Sequence, residues 1–215
     1  MNKKVLITAG PTYEKIDPVR FIGNYSSGKM GFAIAGECAL RGADVTLVAG
    51  PVQLQTPSPG IKRIDVTSAG EMYRATLEAF RDADIAILSA AVADFTPEDV
   101  QSRKVKRGKE DMVLRLKPTK DIAGTLGQLK KDTQIMVGFA LETHNEADNA
   151  IGKLQRKNLD FIVLNSLNDP EAGFMHDTNK ITIFDRKGKH KAYDLKSKQQ
   201  VAADIIDYLS EFISE

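Results

Sequence analysis

The chain has one cysteine and almost no excess of charge of either sign. It also has no apolar run approaching the roughly 20 residues needed to span a bilayer. Each shortage excludes something. Cys38 has no partner for an internal disulfide, and among Ala35, Gly36 and Ala39 it reads as a small apolar filler of a helix. Thirty basic residues against 29 acidic leave a net charge of +1, so no global field draws the protein to nucleic acid or to a membrane surface. Met1-Asn2-Lys3-Lys4 leads straight into a strand pattern without a signal-peptide core, which makes the cytoplasm the expected location. His144, His176 and His190 share no metal-like spacing and Cys38 does not join them, so a structural zinc site is not expected. No Ser/His/Asp constellation emerges.

What is present is alternation. The 215 residues, 42% of them hydrophobic, are enough to bury a sizeable interior as one domain spanning 1–215. Strand-like runs at 5–8, 45–48, 64–66, 85–88, 135–139 and 161–164 alternate with helical patterns at 29–41, 68–80, 121–130, 143–154 and 198–212. That order is the signature of βαβ units, and it predicts an α/β, Rossmann-like, doubly wound and mostly parallel sheet with helices on both faces. Ser68-x-x-Glu71 and Thr143-x-x-Glu146 read as capping boxes. The second opens a helix expected to bury Ala147, Ala150, Ile151 and Leu154. The polar, basic stretch 96–111 reads as a mobile loop followed by a short strand at 113–116. Ile181–Phe184 and Lys191–Tyr193 flank Arg186-Lys187-Gly188-Lys189 as a carboxyl-end hairpin over about 180–194. The last helix presents Val201, Ala202, Ile205, Ile206 and Leu209 inward.

Gly23-Asn24-Tyr25-Ser26-Ser27-Gly28-Lys29-Met30 has the G-x-x-x-x-G-K frame of a P-loop but puts Met30 where magnesium needs a hydroxyl. A long stretch also separates it from the first strand, so the P-loop NTPase assignment fails while a helix start suited to anions remains. In a doubly wound sheet the segments after each strand form one ligand-binding rim. Four are chemically loaded: Ala9-Gly10-Pro11-Thr12, Ser89-Ala90-Ala91-Val92-Ala93-Asp94, Gly138-Phe139-Ala140-Leu141-Glu142-Thr143 and Asn165-Ser166. Small residues admit a flat base or ribose, Asp94 accepts protons and Phe139 offers a stacking face, which together describe a nucleotide pocket without G-x-G-x-x-G.

Arg103, Lys104, Lys106, Arg107 and Lys109 fall within seven positions. They form either a solvated face or a lid that closes on polyphosphate. Lys153 and Lys157, at i and i+4, either compensate a helix dipole or clamp an anion. Asn24 either orders its loop as an Asx turn or donates its amide to a developing oxyanion. A dinucleotide-binding oxidoreductase would need a glycine-rich turn right after the first strand and an acidic residue closing the second. Gly10-Pro11-Thr12 and Val48-Ala49-Gly50-Pro51 stand there instead. A non-catalytic nucleotide sensor is the third reading.

Seven blocks carry a family resemblance: Ile7-Thr8-Ala9-Gly10-Pro11-Thr12, Asp17-Pro18-Val19-Arg20-Phe21, Asn24 to Gly31, Ala90 to Phe95, Lys104-Val105-Lys106-Arg107, Gly138-Phe139-Ala140 and Lys157-Asn158-Leu159-Asp160. From about residue 4 to 212 the chain resembles the phosphopantothenate-cysteine ligases of coenzyme A biosynthesis. The resemblance implies CTP-dependent joining of 4'-phosphopantothenate to cysteine through an acyl-cytidylate, with Mg2+ accompanying the nucleotide. It matches Asn24 to the family's catalytic asparagine and Lys104 to the lysine of its lid. Ser89, Ala90, Asp94, Asp121, Ile122 and Phe139, with Lys153 and Lys157, fall on its nucleotide contacts. Gly10, Ser26, Ser27 and Gly28 fall on its phosphate-binding part, and metal ligands are not assigned. The chain departs from the family pattern at Lys120-Asp121-Ile122, where Pro-Asp-Ile is common, and at the lid's Lys106-Arg107. The family also implies a homodimer whose subunits complete each other's sites, with the carboxyl-end hairpin a candidate pairing element. In many bacteria it further implies fusion or association with a flavin-dependent phosphopantothenoylcysteine decarboxylase.

Overall fold

Val5-Leu6-Ile7, Leu47-Val48-Ala49 and Ile85-Ala86-Ile87 are buried throughout. This is why each reads as an unbroken apolar run, the mark of a strand covered on both faces. A computed structural model of the protein describes residues 1–108, 111–142, 144–166 and 176–214. In chain order its elements are β1 (Lys4–Ala9), β2 (Tyr13–Lys15), β3 (Phe21–Gly23), α1 (Lys29–Leu40), β4 (Asp44–Ala49), β5 (Lys62–Asp65), α2 (Ala69–Phe80), β6 (Ile85–Leu88), β7 (Phe95–Pro97) and β8 (Leu116–Pro118). There follow α3 (Ile122–Leu129), β9 (Ile135–Glu142), α4 (Glu146–Arg156), β10 (Phe161–Ser166), β11 (Thr178–Asn179), β12 (Ile181–Asp185), β13 (His190–Ala192), β14 (Lys196–Ser197) and α5 (Lys198–Ser214).

Eight strands form one sheet in the order β13-β12-β10-β9-β6-β1-β4-β5. The six from β10 to β5 run parallel and the β12–β13 hairpin closes one edge antiparallel. This is the doubly wound arrangement expected from the alternation. Alternating side chains divide the core in two. Val5, Ile7 and Ala9 of β1 join α1 and α5 on one face, whereas Leu6 joins α2, α3 and α4 on the other. The chain leaves β1 toward β4 and β5 and then returns to β6 on β1's other side, so β1 and β6 bound the switch point where ligands bind in such sheets.

Several local expectations hold. Ser68 and Glu71 make the reciprocal bonds of a capping box, and the inward set of α5 is buried. Cys38 is fully buried, and that burial pushes its thiol up to about 12, so it serves as core filler. Others are corrected. The long link between β1 and α1 contains the small antiparallel pair β2–β3. The strand expected at 113–116 lies at Leu116–Pro118 instead, paired with Phe95–Pro97. This happens because Val113 is 85% exposed and has no apolar partner surface, while Thr119 N bonds Asp94 O at 2.9 Å and fixes the later register. Helix α4 starts at Glu146 behind a left-handed Asn145 that makes no side-chain cap; Thr143 lies outside the described residues. With that start only Ala150 and Leu154 reach the core, and Ala147 and Ile151 face outward. Among the described residues no helix is long and apolar enough to cross a membrane.

Candidate functional site

Just beyond the switch point the two departing segments stay linked. Pro11 and Ala91 form a parallel bridge, and Ala91 N donates to Gly10 O at 2.9 Å. Threonines hold the rim after β6: Ala90 N bonds Thr8 Oγ1 at 3.3 Å, Ala93 N bonds Thr12 Oγ1 at 2.9 Å, and Thr119 Oγ1 bonds Ala93 O at 2.7 Å. Asn24, carried in on the chain after β3, donates Nδ2 to Ala91 O at 3.0 Å. An Asn amide has two N–H donors, so Asn24 is oriented by one and offers the other to the cleft.

Helix α1 begins behind Gly28 at φ +76°, with no side-chain cap. The tight approach requires this glycine: a Cβ there would stand 3.0 Å from Val52 Cγ1 and 3.3 Å from Gly10 Cα, itself at φ +80°. One turn on, Gly31 lies so close to Ala9 that an added Cβ would meet Ala9 Cβ at 2.5 Å. Met30 turns inward and is buried, where a P-loop would present its hydroxyl.

Two cavities open on the rim. The first, about 320 Å3, is lined by Asn24, Ser26, Ser27 and Gly28, by Lys29, and by Asn165, Asn179 and Lys198. The second, about 350 Å3, is lined by Asp121, Ile122, Lys157 and the end of β6. Ala90, Val92, Asp94, Phe139 and Lys153 line both, so the cavities meet across this shared wall. The expected site residues therefore converge, with Ser89 in the first cavity and Gly10 packed beneath Gly28. Lys104 is the exception: it is exposed and lines neither cavity.

Lys153 of α4 and Lys157 at its carboxyl-end cap do different work. Lys153 Nζ donates to Phe139 O at 2.7 Å; burial pushes its ammonium below the usual lysine range, opposed by Glu142 and Asp94. Lys157 forms an ion pair with Asp121, whose other oxygen caps α3 through Gly124 N at 2.9 Å. Lys198, Asn179 and Lys29 were not selected as site residues from sequence. Lys198 reads as an ordinary first residue of an amphipathic helix, and only the fold brings it beside Lys29. Among the described residues no group of three or more His, Cys, Asp or Glu is placed to hold a metal ion. Asp94 is the carboxylate on the wall that the two cavities share.

The segment expected to be a free lid is tied down. Asp17, 1% exposed, accepts Val19 N at 2.8 Å and Arg20 N at 2.9 Å through Oδ1, and holds the Arg20 guanidinium and Val105 N (3.1 Å) through Oδ2. Arg20 also reaches Val105 O at 2.8 Å, and Gln101 N bonds Ile16 O at 3.0 Å. Lys109 lies outside the described residues.

The sequence profile of the DNA/pantothenate metabolism flavoprotein C-terminal domain matches residues 1–213. The chain belongs to that family. It is 47% identical over 207 residues to the coenzyme A biosynthesis bifunctional protein CoaBC of Haemophilus influenzae, covering 96% of this chain and 51% of that one. It is 60% identical over 205 residues to a protein of an unknown prokaryote named cysteine/cysteine sulfinic acid decarboxylase, covering 95% of this chain and 57% of the relative. A crystal structure of the C-terminal domain of a CoaBC protein superposes with a TM-score of 0.84 at 39% identity, covering 99% of this chain and 96% of the other. The chain thus spans about half the length of the curated relatives it matches.

The Arg20 guanidinium and the backbone donors hold the Asp17 carboxyl well below the usual carboxylate range. A carboxyl so depressed contributes its tie at every pH above the unfolded value near 3.9 and loses it only in stronger acid. Asp17→Asn should therefore loosen the lid at neutral pH, seen as faster tryptic cleavage at Arg103 to Arg107 without a large fall in Tm. Cleavage at the wild-type rate would contradict the tie.

Proposed function

We propose that this domain joins 4'-phosphopantothenate to cysteine using CTP. In the first step a carboxylate oxygen of the acid attacks the α-phosphorus, the bond to the leaving phosphates breaks, and acyl-cytidylate and pyrophosphate result. In the second, the cysteine amine attacks the acyl carbon, the bond to CMP breaks, and the nitrogen gives up a proton as the amide forms. The observation that carries this reading is the Asn24 amide, anchored on Ala91 O at 3.0 Å beside the wall shared by two cavities. Its second N–H is available to the acyl oxygen as negative charge develops there.

The nucleotide is assigned to the second cavity, where Asp121, Ile122 and Lys157 face Phe139 and Lys153. The acid is assigned to the first, where Asn24 and the α1 start lie. Magnesium would neutralise the charge of the triphosphate, with Asp94 the residue best placed to share it. Family membership supports the pathway, since several relatives are named for coenzyme A biosynthesis. Their additional length would accommodate the flavin-dependent decarboxylase. A dinucleotide oxidoreductase is disfavoured because β1 and α1 are separated by the β2–β3 hairpin, leaving no tight glycine turn between them.

The lid's Lys104 would act on a partner subunit's cleft. In support, it lines neither cavity of its own chain while the lid is tied to the Asp17 turn. That turn borders the exposed apolar side chains Val19, Phe21, Phe95, Val100 and Leu116 on β3, β7, β8 and their loops. Such a surface favours self-association. The carboxyl-end hairpin is a poorer pairing element, because His190 and Lys191 blunt its edge strand.

With CTP, 4'-phosphopantothenate and cysteine together, the protein should release pyrophosphate and form the amide. Asn24→Asp should lower the rate by roughly 100- to 1,000-fold, the cost of losing one oxyanion donor, with CTP affinity unchanged. No pyrophosphate under any nucleotide would sink the ligase reading in favour of a sensor. Carbon dioxide release from cysteine without nucleotide would favour the activity for which the 60% identical relative is named.

For the shared site, inactive Asn24→Asp and Lys104→Gln chains should regain about a quarter of wild-type activity when mixed in equal amounts. Half the dimers are then mixed, and each has one intact site. A mixture no more active than its parts would place Lys104 on its own subunit's site.

A further inference from the structure

The second cavity owes its width to a joint that lies outside it. Helix α4 ends in a Schellman motif: Asn158 N donates to Gln155 O at 3.2 Å and Leu159 N to Leu154 O at 3.0 Å, with Asn158 left-handed at φ +51°. Glycine is the usual residue at that position, and asparagine adds an amide to it. Here the amide is used, because Asn158 Nδ2 donates to Gly127 O of α3 at 2.9 Å. Gly127 permits the approach: a Cβ there would collide with Lys157 O and stand 3.3 Å from Asn158 Cβ. At the carboxyl-end cap of α3, Lys130 Nζ donates to Asn158 O at 3.3 Å and pairs with the buried Asp160 at 2.6 Å. Asp160 Oδ2 also accepts Met136 N of β9 at 2.7 Å. The chain at 157–160 therefore fixes α3 against α4 and β9 together. From these elements Asp121, Ile122, Lys157, Gly138 and Phe139 face the second cavity. Asn158 itself is exposed and lines neither cavity.

We propose that Asn158 is a positioning residue for the nucleotide: its amide, clasped to Gly127 O, holds Asp121 and Ile122 at the distance from Lys157 that nucleotide binding requires. This rests on the reading that places the nucleotide in the second cavity. Lys157 and Asp121 form an ion pair, and an anion that takes Lys157 parts it. The start of α3 then loses its direct tie to the end of α4. The Asn158 amide, one helix turn further along α3, stays bonded and keeps the two sides of the cavity in register. Without it, binding itself would have to order α3, at a cost in affinity.

The test is calorimetric titration of the full chain with CTP and with 4'-phosphopantothenate separately. Asn158→Gly keeps the left-handed backbone and removes only the amide, so it should bind CTP about fivefold more weakly, the scale of one lost hydrogen bond, with affinity for the acid unchanged. In turnover it should raise KM for CTP and leave kcat within about twofold of the wild type. Asn158→Asp tolerates the same backbone but offers Gly127 O no donor, so it should reproduce the loss, and it carries the test if Asn158→Gly does not fold. Wild-type CTP affinity in either folded variant, a loss shared equally by the acid, or a wild type that binds no CTP would each overturn the assignment. A chain that folds with neither substitution would overturn it too, because Asn158 would then serve the fold alone. A loss confined to CTP in a protein that releases no pyrophosphate with all substrates present would count against the ligase reading alone and leave the role of Asn158 standing.

Discussion

Everything at the site depends on how β1 and β6 part. Adjacent parallel strands that lead to opposite sides of a sheet must open a crevice at their carboxyl ends. Here the opening is limited by the Pro11–Ala91 bridge and by the bond from Ala91 N to Gly10 O. The strap that closes the crevice also presents the carbonyl on which Asn24 is hung. Below it, the close contact of Gly28 with Gly10 and of Gly31 with Ala9 brings the start of α1 down onto the end of β1. A side chain at any of these glycines would lift the helix start from the cleft.

The second theme is charge held out of water. Lys153 and Lys198 are both buried enough to depress their ammonium groups, and each donates to a backbone carbonyl. A carbonyl acceptor orients a cation without cancelling its charge. Lys157, by contrast, is paired with Asp121, which makes it a weaker anion ligand until that pair opens. The two cavities meet at the Ala90–Asp94 wall and Phe139.

Much of this was readable in the sequence, for identifiable reasons. Parallel central strands announce themselves as apolar runs, and the Ser68–Glu71 box marks its helix because both partners are local. The rim segments were found because the doubly wound topology brings them to one edge whatever their order in the chain. What could not be read depends on distant pairing. The shift of the short strand to Leu116–Pro118 follows from bonds to 94–97, and the tie of Val105 to Asp17 spans 88 positions. Lys198 reaches the cavity only because α5 packs beside α1. The helix after β9 starts later than the pattern at 143 suggests, at Glu146 behind a left-handed Asn145, and of its four expected core residues only Ala150 and Leu154 are buried.

The central claim is that nucleotide and acid occupy different cavities on either side of one wall. Amide hydrogen exchange of the full chain, with CTP alone and then with 4'-phosphopantothenate added, tests it directly. CTP alone should slow exchange at 121–126 and 153–158 and leave 28–32 at the unliganded rate, with protection of 28–32 appearing only when the acid is added. Protection of 28–32 by CTP alone, with 121–126 unchanged, would contradict the account.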